Sequence, residues 1–257
     1  MCTRAVSGLA HYLEREGLPT TVIALIRPHA AQLRPPRALA VPFELGRPFG
    51  APEAPDFQRR VLLEALSLLE RTDGPILVDF ADAPPEPGSG LASWSAPIEA
   101  EEIAGDFSDP RVRTDAIKSE ITALRPMRDQ FVLEHGGRQF DRITPLTLDQ
   151  IIDLIQGFIL DPSIENPMPA FALRQTVKFA TDDLKHFYYQ AGLAGAGRIT
   201  DIELDNWFFG NTLAGDLVLR LKAGFLSSSD AEMRLFAERS LVPSHQAHRV
   251  PRANWAV

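Results

Sequence analysis

The sequence predicts an α/β protein: a small parallel open sheet with flanking helices, followed by a mainly α-helical C-terminal domain. Three observations predict it. A helical pattern followed by a short β-branched or apolar run occurs three times before residue 80. A stretch rich in Pro, Gly and acids then interrupts the chain, and beyond it long helical periodicities carry few β-branched runs. The expected boundaries are an α/β domain over 1–82, a linker over 83–108, a helical domain over 109–243 and a tail over 244–257.

The first helix is read from Val6, Leu9, Ala10 and Leu13, with Gly17 as its stop before Pro19. Thr20 to Ile26 is rich in β-branched residues and predicts a strand buried in a sheet. A short helix around His29 to Leu33 leads into Arg34-Pro35-Pro36-Arg37, where the prolines end it, and Ala38 to Val41 reads as the second strand. Leu45 to Pro52 carries Gly and Pro at close intervals and predicts a loop of fixed shape at that strand's carboxyl end. Phe57 to Arg71 has a broad apolar stripe, and after Gly74-Pro75 the run Ile76-Leu77-Val78 gives the third strand. Crossovers between parallel strands are expected to be right-handed. Since such a unit usually opens on a strand, the sheet is expected to lack a first strand here, the alternative being a fold that simply starts with this helix.

In the second half, Asp109 caps a helix opening at Pro110, which Pro126 is expected to bend or interrupt before Gly136-Gly137 ends it. Thr147 with Gln150 forms a capping-box pattern ahead of Ile151, Ile152, Leu154, Ile155, Phe158 and Ile159. A third helix is expected from about Pro169 to Ala191. A fourth, again opened by a capping box of Thr200 and Glu203, is expected to run to about Leu226, and Asp230 to Leu241 gives a last one. Past Pro243 the chain is expected to fray.

The 257 residues carry a formal net charge of -8, which argues against nucleic acid or an anionic membrane as partner. No apolar run approaches the ~18–20 residues of a membrane span, and the residues after Met1 lack a signal peptide's hydrophobic region. A cytoplasmic address is expected. One cysteine, Cys2, excludes an intrachain disulfide and any multi-cysteine zinc site. It precedes the first helix, where unpaired N–H groups and the positive end of the helix dipole favour a thiolate, and Arg4 adds a cation. The alternative is an incidental cysteine at a frayed end.

Gly17-Leu18-Pro19-Thr20 ahead of a strand, the turn Arg34-Pro35-Pro36-Arg37-Ala38, and the loop Phe43-Glu44-Leu45-Gly46-Arg47-Pro48-Phe49-Gly50 occur in order over residues 2–80. This series resembles the selenoprotein B component of the glycine, sarcosine, betaine and D-proline reductases. Those proteins carry a redox motif of selenocysteine, Gly, Thr, Cys, Thr, Arg just before this first helix, and Cys2-Thr3-Arg4 matches its last three positions. The selenocysteine would fall ahead of Met1. Either the chain starts late, or this branch keeps only the partner thiol.

The resemblance implies thiol-dependent reductive chemistry on a small carboxylate- or amine-bearing substrate, with a thioredoxin-like or reductase-subunit protein as partner and no cofactor in this chain. It implies Cys2 as nucleophile and Arg47 as a carboxylate clamp, with Arg4, Arg37 and Arg34 as further candidates. For each arginine the alternative is a carbonyl cap or a solvated side chain. A second functional reading is a non-catalytic binding or assembly protein that retains a relic of the redox motif. Asp182 and His186 share a helix face at i,i+4, but no repeated Glu-x-x-His accompanies them, so surface ion pairs are expected rather than a metal site. Trp207, Phe208 and Phe209 are consecutive and cannot share one helix face; core packing is expected for them.

Overall fold

The computed structural model describes residues 3–43, 46–51, 54–82, 94–98, 108–139, 141–195 and 199–251. The chain divides between residues 91 and 92 into two compact units. The first is the α/β unit: α1 (Thr3–Arg15), β1 (Val22–Ala24), α2 (Arg27–Leu33), β2 (Arg37–Ala40), α3 (Pro55–Ser67, extended by a 3-10 turn to Glu70) and β3 (Ile76–Asp79). The three strands are parallel in the order β1-β2-β3, with Val22 opposite Ala38 and Ala38 opposite Leu77.

Side chains alternate across a strand, so neighbours in β2 serve different layers. Ala38 clusters with Val22, Ala24, Ala10 of α1 and Ala30 of α2, all buried. Leu39 and Val41 cluster with Phe57, Val61 and Ala65 of α3 on the other face. Alanines on the first face let two helices lie close, while larger residues fill the second. This layering departs from the sequence expectation in one respect. The strand order advances in one direction, yet α2 and α3 cover opposite faces. The two crossovers therefore turn in opposite senses, and one of them breaks the right-handed rule. The α2 link is a seven-residue helix.

The helical unit comprises α4 (Pro110–Glu134), α5 (Leu148–Leu160), α6 (Leu173–Leu193), α7 (Asp201–Asn211), α8 (Leu213–Ser227) and α9 (Ala231–Arg239). The capping box that opens α5 is present on both sides: Gln150 N–H donates to Thr147 Oγ1, and Thr147 N–H donates to Gln150 Oε1. All six apolar positions read from the sequence of α5 are buried. Pro126 does not interrupt α4, which runs through it as one helix.

The helix expected over 200–226 is two helices. Thr212 takes an extended conformation, and its hydroxyl accepts from Gly215 N–H as the cap of α8. A Cβ on Gly215 would lie 1.9 Å from the Phe208 carbonyl oxygen, so only glycine allows α7 and α8 to meet this tightly. Past Pro243, where the sequence reading expects a frayed end, Ser244–Arg249 forms a 3-10 helix. Gln246 is fully buried there and donates to Asn206 Oδ1 of α7 at 2.8 Å.

Within the stretch expected as a linker, residues 94–98 also pack on this unit. Trp94 Nε1 donates to the Gly192 carbonyl at 2.9 Å, and its ring meets Trp207 edge-on. Trp207, Phe208 and Phe209 are all buried in the core. Among the described residues, no helix is long and apolar enough to cross a membrane.

Candidate functional site

α/β proteins place their ligands at the carboxyl ends of their parallel strands. Glu14, near the end of α1, meets Arg37 at the start of β2. With Ala10 packed on the sheet, α1 therefore runs antiparallel to the strands, and its first turn points to their carboxyl side. Arg4 stands there, exposed. Cys2 lies outside the described residues.

Beyond β2, residues 46–51 form a turn in which Gly50 N–H donates to the Arg47 carbonyl at 2.9 Å, with Gly46 and Gly50 both at positive φ. Phe49 anchors this turn on a buried aromatic trio, Phe43, Phe57 and Phe80, whose ring centroids lie 5.5–5.8 Å apart. Phe43 follows β2, Phe80 follows β3 and Phe57 sits at the start of α3, so the trio closes the sheet's carboxyl side under the turn. The Arg47 side chain is exposed.

Arg37 is placed differently. It is the first residue of β2, at the amino side of the sheet and the opposite end of the strand from Arg47. Its guanidinium donates to Glu14 Oε1 at 2.5 Å and to the Arg71 carbonyl at 2.8 Å. Glu14 also accepts from Thr20 N–H at 2.6 Å, and that bond, with the Thr20 hydroxyl and Arg37 adding to it, holds its carboxyl below the usual value. Arg37 and Arg34 line a cavity of about 350 Å³ together with His11, Glu14 and Pro75. The structure thus brings Arg4 and Arg47 to one side of the sheet and leaves Arg37 on the other.

A feature of the carboxyl side that the sequence reading passed over is a fork between Arg27 and Asp79. Arg27 opens α2 and donates to the last residue of β3 through Nε at 2.6 Å and Nη2 at 2.9 Å. The hydrogen bond to Arg27 lowers the Asp79 carboxyl pKa. The signal was present in Ile26-Arg27 and Val78-Asp79, a charged residue directly following each apolar run.

In the helical unit the buried acids hold structure. Glu120 of α4 accepts from Tyr188 Oη at 2.8 Å, Leu213 N–H at 2.9 Å and Ala214 N–H at 3.3 Å, which makes it a distant cap for α8. Burial dominates those bonds and raises its pKa. Asp183 accepts from the backbone N–H groups of Ile143 and Thr144, pinning the segment before α5. Asp205 takes the Tyr189 hydroxyl and lies 3.0 Å from His245 Nε2. Lys185 lies over the rings of Tyr189 and Phe209, and burial lowers its pKa. Asp182 pairs with Lys178 rather than with His186. Among the described residues no three His, Cys, Asp or Glu side chains converge to hold a metal ion.

The helical unit also has a hollow of about 610 Å³ lined by three arginines, Arg125, Arg128 and Arg142. Sequence reasoning missed it, because Arg142 lies in a loop and the other two on α4, with no shared local pattern. Compared with known proteins, the chain matches no family model, no curated protein and no solved structure.

Proposed function

We propose that the chain is a thiol-dependent reductase of the selenoprotein B type, or a subunit of one, acting in the cytoplasm on a small carboxylate- or amine-bearing substrate. One observation carries this reading: α1 begins at Thr3, directly after the chain's single cysteine, and its first turn points to the carboxyl side of a parallel sheet. A thiol ahead of a helix start is favoured as thiolate by the dipole. In this reading Cys2 is the nucleophile, Arg4 adds to the positive field and Arg47 binds the substrate carboxylate, because a guanidinium meets a carboxylate with two parallel bonds. Arg37 is the weakest of the substrate-binding candidates, being engaged by Glu14 on the far side of the sheet. Electrons come from a thioredoxin-like dithiol partner.

The test is the rate of iodoacetamide alkylation of Cys2 against pH, in the folded chain and in urea. A folded thiol that titrates below the free value of ~8.5, together with loss of thiol-dependent turnover in Cys2→Ser, is the expected result. Equal rates in both states, or turnover unchanged in Cys2→Ser, remove Cys2 from the mechanism.

A second reading, a binding or assembly protein without catalysis, is favoured by Leu62, Leu63 and Leu66, which are 42–54% exposed on α3. Size-exclusion and pull-down measurements decide it: a strictly monomeric chain that captures no partner counts against this reading.

A further inference from the structure

The chain is acidic overall, so three arginines lining one hollow run against its average field. Arg128 is nine-tenths buried and is fixed in place by acids: Nη2 donates to both oxygens of Asp141 at 2.6 Å, and Nη1 donates to Asp129 at 2.9 Å. Its charge is thereby compensated. Arg125 and Arg142 are different. Arg125 lies with its guanidinium 6.0 Å from the centroid of the Phe187 ring, which also lines the hollow. Neither Arg125 nor Arg142 forms an ion pair among the described residues.

The start of α5 also lines the hollow. Gln150 N–H is taken by Thr147 Oγ1 and Ile151 N–H by the Thr147 carbonyl. The amides of Leu148 and Asp149, both lining residues, have no acceptor among the described residues, as expected for the first positions of a helix. The Asp149 carboxylate lines the hollow as well, within the field of Lys118, whose own hydrogen bond goes to Asp153 at 2.8 Å. The remaining donors are two guanidinium forks and two backbone N–H groups around a space suited in size to a small metabolite.

We infer that this hollow binds a small oxyanion-bearing metabolite, its carboxylate or phosphate group held by Arg125 and Arg142 against the first turn of α5. Planar guanidinium groups match both chemistries with paired bonds. The Phe187 ring beside Arg125 favours a cation at that wall. This inference is independent of Cys2 and of the redox reading.

Calorimetric titration of the full chain at 0.15 M salt, with inorganic phosphate and separately with succinate, tests it. One of the two is expected to saturate at one equivalent per chain, and which one does assigns the group bound. Arg125→Gln and Arg142→Gln are each expected to weaken that binding about tenfold or more, as loss of a charge-assisted bond does. Both side chains are exposed, so ligand-free melting curves should match the parent's. If one variant melts early, the other carries the comparison. Arg220→Gln, which removes an exposed arginine paired with Asp216, is expected to leave binding unchanged. Saturation by neither probe below about 10 mM, equal binding in the Arg125 and Arg142 variants, or equal weakening by Arg220→Gln overturns the inference.

Discussion

In the helical unit the acids Glu120, Asp183 and Asp205 are at most 8% exposed and each accepts hydrogen bonds that join separate elements. In the α/β unit the charged groups on the carboxyl side of the sheet, Arg4, Arg27, Arg47 and Asp79, stand in solvent, and on the amino side the Arg37–Glu14 pair is only partly covered. The difference follows from thickness. Six packed helices enclose enough volume to desolvate a carboxylate, and a desolvated carboxylate must be bonded. Three short strands cannot enclose one, so their polar side chains stay at the rim. A large core uses its polar chemistry for assembly, whereas a thin sheet leaves it facing whatever approaches.

Replacing Glu120 probes this contrast most strongly. Glu120→Ala leaves Tyr188 Oη and two backbone N–H groups buried without an acceptor, and is expected to cost about 3–5 kcal/mol in urea unfolding of the helical unit. A loss below about 1 kcal/mol would mean that water reaches this acid, and the contrast would fail. Its pH dependence has a definite sign. The folded pKa is raised, chiefly by burial, so the folded state holds the proton more tightly than the unfolded one. Stability is therefore full below the ordinary glutamate pKa and declines as pH rises through the elevated one. Glu120→Gln should abolish that decline.

A smaller effect is expected in the thin unit. Leu39 is fully buried at the centre of the sheet, and Leu39→Ala should cost about 3 kcal/mol, read as faster hydrogen exchange of the Ala38 and Ala40 amides. Exchange that stays as slow as in the parent would show that the sheet does not depend on its middle layer. The smallest change is Glu14→Gln, which weakens the bonds to Thr20 and Arg37 and should cost about 1 kcal/mol. The lowered Glu14 pKa gives a contribution present above the ordinary carboxylate value and lost as pH falls through the depressed one. The stability gap between parent and Glu14→Gln should be constant above that window and close as pH falls through it.

The pattern of what could be read from the sequence follows the range of the interactions. The capping boxes at Thr147 and Thr200 were legible because both partners lie within three residues. The three strands were legible from their composition, and parallel pairing followed from the helices between them. The break between α7 and α8 was not, because half of its cap is Glu120, 93 residues before Leu213. The ordered 3-10 helix after Pro243 was missed for the same reason: Gln246 finds its partner 40 residues away. In the α/β unit, Arg37 looked available in sequence, and only the return of α1 to the amino side brings Glu14 onto it. The arginine-lined hollow depends on a loop meeting α4 and leaves no local trace.

The fork between Arg27 and Asp79 has a further meaning for whatever meets the sheet's carboxyl side. An incoming carboxylate would find Nε and Nη2 of Arg27 already taken by Asp79, and would meet the remaining N–H groups beside a like charge. That part of the rim therefore carries a charge pair rather than an uncompensated cation. Arg27 and Asp79 together thus present a paired, neutral element to whatever meets that rim.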